Sequence, residues 1–356
     1  MNKTIFLSIL AITSMLKVNG QNLSPEDTDS SLITVKVIGV GDLMLGTNYP
    51  NTSYLPANDG KDMLSEVTPL LKSADVTFGN LEGVILSGIG QIKRCSNPDK
   101  CYAFKMPDSY VNHFVNAGFD VLSLANNHSN DFGYTGIENT KRLLKESQIA
   151  YAGLTDCAST IFEKNGLTYG FVAFSPNRGT VKINDYSKAL NIIKELDNQC
   201  DVVIVSFHGG AEGSEHTHLT KETEYYLGEN RGNPYEFARV VIDAGADVVF
   251  GHGPHVTRAI DLYENRFIAY SLGNFATYGR FNLSGPNGIA PIIELTLEPD
   301  GTFISGQIHS IKQLGNGGPI LDDKNKVISV IQELNESDLP GCPLEINSMG
   351  EISVKK

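Results

Sequence analysis

Imidazole and carboxamide groups crowd two short stretches of this chain, Leu124-Ala-Asn-Asn-His-Ser-Asn-Asp131 and Gly251-His-Gly-Pro-His255. Each follows an apolar run that reads as a buried strand. Both therefore stand at a strand's C-terminal end, where α/β folds build their sites. Asp42, Asn80, Glu82, Asn127, His128, His208, His252, His255 and Asn274 all fall at such strand exits. Carboxylates, imidazoles and carboxamide oxygens are the ligand set of borderline divalent ions such as manganese, zinc or iron, and the inventory serves one ion or two. Paired ions sharing a carboxylate can clamp a phosphoryl oxygen and activate a bound water. Asp42, Glu82, Asn127, His208, His252 and His255 are the candidate ligands. His128 is the candidate acid or anion stabiliser, and Asp131 can orient its ring. Taken singly, each has a structural reading: Asp42 as a helix cap, Glu82 as an ion pair, Asn127 as a turn residue. Their recurrence at several strand exits is what points to a site.

The stretch Gly209-Gly-Ala-Glu-Gly-Ser-Glu-His-Thr-His218 follows His208 directly. Glu212, His216 and His218 in it are candidates for a second ligand cluster or a substrate-gripping lid; a solvated loop is the alternative. Arg258, Arg231 and Arg280 are candidates for a bidentate grip on carboxylate or phosphate. Asn274, in Tyr270-Ser-Leu-Gly-Asn-Phe275, is placed to donate to an oxyanion. The sequence holds no Gly-x-Ser-x-Gly nucleophile turn, no Walker loop and no Gly-x-Gly-x-x-Gly after a strand, which weakens serine-hydrolase and nucleotide-triphosphate readings.

These groups need strands to carry them. Apolar runs at 33–40, 75–78, 119–124, 148–151, 167–174, 201–207, 247–250 and 266–271 read as strands. Helical patterns at 61–72, 108–117, 136–147, 187–198 and 235–244 fall between them, with Gly118 and Gly245 as stop signals. The alternation predicts an α/β fold with a layered sheet. A hairpin of 292–297 with 302–311 about Pro299-Asp-Gly301 makes the sheets mixed. After residue 320 the pattern predicts a helix near 326–334 and a polar tail.

The N-terminus reads as a signal peptide over residues 1–20, with a charged start, a short apolar stretch and a cleavage site before Gln21. A retained anchor is the alternative. Residues 21–31 read as a flexible leader, 32–315 as one domain, and 316–356 as a C-terminal helix and tail packing on it. The net charge is −13, and −15 once residues 1–20 leave with Lys3 and Lys17. Such a surface repels nucleic acid. An anionic ligand needs a local positive spot, from a metal or from arginines. There are five cysteines. Cys95 and Cys101 flank a turn-rich pentapeptide and suit a local disulfide in an exported protein.

Gly41-Asp42-Leu-Met-Leu-Gly46, Gly79-Asn-Leu-Glu82, Ala125-Asn-Asn-His128, Ser206-Phe-His208-Gly, Gly251-His-Gly-Pro-His-Val256 and Tyr270-Ser-Leu-Gly-Asn-Phe275 together resemble the CapA/PgsA family of capsule synthesis and poly-γ-glutamate biosynthesis proteins. The resemblance runs in order from about residue 33 to about 311. It implies a calcineurin-like metallophosphoesterase fold, an αββα sandwich of two mixed β-sheets flanked by helices. By that likeness Asp42 is a first-metal ligand, Glu82 stands for a bridging carboxylate, and Asn127 is a second-metal ligand beside His128. His208, His252 and His255 complete the set. Two departures are visible. The usual Asp-x-His is Asp42-Leu-Met44, and the terminal His-x-His is His252-Gly-Pro-His255. One metal, two metals or a lost catalytic role all remain open. The implied setting is the cell envelope, with membrane-bound synthase subunits as partners. The implied ligand is an anionic polymer or phosphate ester. The alternatives to a capsule-synthesis role are an active metal-dependent phosphoesterase and a non-catalytic polymer-binding subunit.

Overall fold

A computed structural model describes residues 34–94, 101–315 and 317–356. The expected signal peptide and leader, and Cys95, lie outside the described residues. Cys101 is disulfide-bonded. Cys157, Cys200 and Cys342 are free thiols.

The described residues form one compact unit built on two large mixed sheets. In the first, Val35–Met44, Val76–Leu81, Val121–Ser123 and Ala150–Ala152 lie side by side and parallel. The long hairpin Ile289–Leu297 and Phe303–Gln313 joins the other edge of Val35–Met44, antiparallel, as the Pro299-Asp-Gly301 turn predicts. The expected polar tail instead carries two further strands, Leu344–Ile346 and Glu351–Val354, which extend this sheet beyond the hairpin.

The second sheet has Leu167–Phe174, Val202–His208, Val248–His252 and Arg266–Ala269 in parallel at its centre. Ser159–Lys164 and Ile260–Tyr263 close its edges, antiparallel. Val202–His208 and Val248–His252 are buried throughout, which is why they read as continuous apolar runs.

The two sheets pack face to face. Val35, Val37, Phe78 and Val121 of the first share one core with Phe171, Ile204 and Phe250 of the second. The Phe78 and Phe250 rings stack at 5.3 Å. A Cβ at Gly39 would meet the Phe250 ring at 2.4 Å, so only glycine admits that stack. Helices cover both outer faces. Val111–Ala117 and Gly133–Glu146 bury Phe114 and Leu144 against Ile38, Val40 and Leu122. Tyr186–Asp197 and Pro234–Asp243 place Ile193 and Phe237 in the core of the second sheet. The helix expected over 61–72 shrinks to Thr68–Leu71. Pro69 can open a helix but disfavours helical backbone before it.

Candidate metal centre and its cavity

The parallel strands of the two sheets deliver their ends to one place. In the first sheet Asp42 lies in register with Asn80 on one side and Asn274 on the other. The register shifts around Asp42 on both flanks, an irregularity that re-aims a side chain at a sheet rim. In the second sheet His252 lies in register with His208. Glycines let the backbones close in. A Cβ at Gly41 would stand 1.9 Å from the Gly273 carbonyl, and one at Gly251 2.3 Å from that of Tyr270.

Asp42 is fully buried and surrounded by donors. Asn80 donates to its Oδ1 at 2.8 Å. His255 Nδ1 lies 3.0 Å from Oδ2, and His252 Nδ1 3.3 Å from Oδ1. Burial opposes its ionisation, but the hydrogen bonds and charge of His252 and His255 outweigh it. They hold the carboxyl far below the usual range. His255 has a left-handed backbone, φ +58°, that Gly253-Pro254 leads into. The extra residue between the two histidines is thus taken up by a turn, and both rings still reach Asp42.

Glu82 is the opposite case. It is equally buried, yet neither carboxylate oxygen has a hydrogen-bond partner. His208 Nε2 stands 3.4 Å from Glu82 Oε1, and His255 Nε2 3.6 Å from the same oxygen. Burial pushes the Glu82 carboxyl well above its ordinary range, only partly offset by His255. Burial drives His208 well below the usual imidazole value, and the Arg231 charge acts in the same direction. Burial also works against charge on His255, but Glu82 and Asp42 prevail and push it up to about 10.

Ligand atoms of Glu82, His208 and His255 lie within 4.8 Å of one another. Both ring nitrogens of His208, Nε2 of His252 and Oδ1 of Asn127 are also buried without partners. Buried polar atoms are normally paired, because leaving one unpaired costs about 1–3 kcal/mol. These orphans are oxygen or imidazole nitrogen, the donor set of a borderline divalent cation, and those of Glu82 and His208 converge with His255. The residues present fit such an ion.

A cavity of about 660 Å³ opens beside this group, with Asn127, His128, Glu212, His255 and Asn274 on its wall. His128 is held hard. Its Nδ1 lies 2.7 Å from Asp131 Oδ2, and its amide donates to Asn126 Oδ1 at 3.0 Å. Asp131 does not line the cavity. It accepts the Phe104 amide at 2.6 Å and pairs with Lys93 at 2.6 Å, so it positions His128 and Lys93. Burial lowers the His128 pKa, with Asp131 opposing, which favours a neutral ring.

The other predicted residues divide. Glu212 lines the cavity but pairs with Arg231 at 2.9 Å. Arg231 and Arg280 also line it, the latter 4.8 Å over the Tyr102 ring. Asn274 is there too, but its amide is spent on the carbonyls of His255 and Asn287, at 3.3 and 3.1 Å, so it offers an acceptor and not the expected oxyanion donor. Arg258 is a correction to the expected grip. It is fully buried, turned into a two-pronged pair with Glu224 at 2.8 Å each, and its Nε holds the His216 carbonyl. Three residues from His255 in sequence, it faces away from the cavity. His216 does not line the cavity, and neither does His218, which pairs with Asp338 at 2.8 Å. Sequence reasoning passed over several wall residues, Lys93, Phe104, Phe281 and Asn287 among them. Lys93 and Phe281 sit in loops and Asn287 in a single 3-10 turn, with no periodicity and no motif.

Residues 36–278 match the family described as bacterial capsule synthesis protein PGA_cap. The chain belongs to that family. Two relatives agree. The capsule biosynthesis protein CapA of Bacillus anthracis is 28% identical over 311 residues, 81% of this chain and 70% of that protein. The PGA biosynthesis protein CapA of Bacillus subtilis (strain 168) is 26% identical over 293 residues, 77% of this chain and 72% of that one. Among solved structures, a 5'-nucleotidase precursor from Thermus thermophilus aligns with a TM-score of 0.43 at 10% identity, covering 79% of this chain and 55% of its own.

Proposed function

We propose that this PGA_cap protein works outside the cytoplasm in capsule synthesis, where it handles an anionic polymer at a divalent-metal site. The observation that carries the reading is the convergence of ligand atoms from Glu82, His208 and His255, those of Glu82 and His208 buried without a hydrogen-bond partner. These three would hold the cation. Asp42 would fix the rings of His252 and His255, and Asn127 would add an oxygen. The signal-peptide pattern of residues 1–20 supports export. The relative from Bacillus subtilis, a PGA biosynthesis protein, supports poly-γ-glutamate as the polymer. Membrane-bound synthase subunits are the partners this implies.

When bound, the cation, manganese, zinc or iron, supplies Lewis acidity to an anionic oxygen. The chain's own residues do the rest. Lys93, Arg231 and Arg280 stand on the wall of a protein whose net charge is −13, Lys93 held by Asp131 and Arg231 by Glu212 and Glu229. His128 keeps one nitrogen on Asp131, leaving the other to take or give a proton.

The test is elemental mass spectrometry on protein purified without chelator or affinity metal, beside His208→Ala. Near-stoichiometric metal in the first and its loss in the second is the expected result. No metal in either, after reconstitution with manganese, zinc and iron, would end the metal reading. The ordered His128–Asp131 pair favours a second reading, hydrolysis of a phosphate ester. Turnover of p-nitrophenyl phosphate by the loaded protein, abolished in His128→Ala, would select it.

A further inference from the structure

Two buried asparagines on the cavity wall have a shared peculiarity. Asn274 donates through Nδ2 to the carbonyls of His255 and Asn287. Asn287 donates through Nδ2 to the same His255 carbonyl, at 3.1 Å. These bonds settle which end of each carboxamide is which. They leave both Oδ1 atoms buried and without a partner. Asn274 is 1% exposed and Asn287 4%, so bulk water does not serve them. Both residues line the cavity. Asn274 is further clamped by Gln313, whose Nε2 donates to its carbonyl at 3.0 Å. The pair is therefore held in place, and each carboxamide has only an acceptor left to offer at the cavity wall.

Resting on the polymer reading above, we infer that Asn274 and Asn287 are specificity-determining residues that accept an amide N–H of the bound ligand. Two rigid carbonyl oxygens call for a donor or a cation. Lys93 and Arg231 on the same wall are already paired, with Asp131 and with Glu212 and Glu229, so the wall's charge does not choose between the two. The polymer reading chooses a neutral donor, the amide of a γ-linked polyglutamate. The stacked rings of Phe104 and Phe281, 5.1 Å apart, line the same cavity and suit a flat amide. The cations then take the ligand's carboxylates. A polyamide bearing carboxylates satisfies every group; a phosphate monoester offers the two asparagines nothing. A site built to hydrogen-bond an N–H rejects the analogue lacking it, because the buried acceptors stay unpaired.

The experiment is a binding titration of metal-loaded protein with two probes, a γ-linked glutamate tetramer and its analogue in which each amide N–H is replaced by an ester oxygen. Wild type is expected to prefer the amide by roughly tenfold or more. Asn287→Ala is expected to bring that ratio close to one. The ratio separates recognition from structure, since a displaced His255 weakens both probes alike. Metal content is measured in the same samples. Equal binding of the two probes by metal-loaded wild type overturns the inference and leaves the metal reading standing. A retained preference in metal-free protein keeps the inference and removes the metal from it. Tighter binding of an oligogalacturonate, which has no amide, or binding of neither probe, also overturns it.

Discussion

Carboxylates sit at both ends of the parallel strands, and the two ends treat them in opposite ways. At the strand starts, Asp75, Asp120, Asp201 and Asp247 each precede a valine that opens a strand. Each carboxylate accepts an amide from the neighbouring strand: Lys36 and Thr77 at 2.8 Å, Thr168 and Val203 at 2.7 Å. Each aspartate's own amide donates back to the carbonyl of that same neighbour, at 2.8–3.0 Å. The pairing is reciprocal and leaves little valence spare. At the strand ends, Asp42 and Glu82 meet imidazoles, and Glu82 has no hydrogen-bond partner at all. A carboxylate that ties one strand to the next stabilises the fold. One that faces histidines without a partner is a cost the fold bears for a ligand.

The sharpest way to break this comparison is at Glu82. Glu82→Gln keeps the shape and removes the ligating charge. It is expected to weaken metal binding by about two orders of magnitude or more, read by competition against a chromophoric chelator. Retention of wild-type affinity would place the ion elsewhere. The corresponding change at a strand start, Asp120→Ala, is expected to leave metal affinity alone and to lower stability. It strips the buried Thr77 amide of its acceptor, at a cost of about 1–3 kcal/mol in urea unfolding. A third measurement joins the two ends. In metal-free protein, Glu82→Gln is expected to cost little stability, because burial already favours a neutral carboxyl that makes no hydrogen bond, and an amide of the same shape replaces it. A clear loss on unfolding would mean that Glu82 is structural after all.

The two ends were also unequally legible. The exit residues announce themselves in sequence, because His and Asn after an apolar run are chemically conspicuous. Asp42, Glu82, His208, His252 and His255 converge from separate segments at the place such folds reserve for sites. The repeated Asp-Val at the strand starts was equally visible and carried no chemical alarm, since an aspartate before a strand is ordinary. Arg258 shows the limit of sequence proximity. Its closeness to His255 says nothing of its direction, which a buried Glu224 decides. Lys93, Phe281 and Asn287 were out of reach because long-range packing of loops, not local pattern, brings them to the cavity. The strands Leu344–Ile346 and Glu351–Val354 are too short to show an alternation against the polar residues around them.

The smallest expected effect tests whether a strand-start carboxylate ever resembles Glu82, and Asp247 is the one to try. Burial pushes its carboxyl up to about 7, against the Val203 amide and the Arg266 guanidinium 3.1 Å away. Between the ordinary value of 3.8 and about 7, the folded protein keeps a proton that the unfolded chain has released. Stability contributed by this group therefore falls as pH rises through that window. Asp247→Asn cannot titrate and is expected to flatten the slope. The stability difference, variant minus wild type, should grow by about 1 kcal/mol or more between about pH 5 and pH 8 in urea unfolding. A difference that stays constant across that range would mean that Arg266 and the Val203 amide keep Asp247 ionised. Asp247 would then belong fully with the satisfied carboxylates, and the contrast between the two ends would be complete.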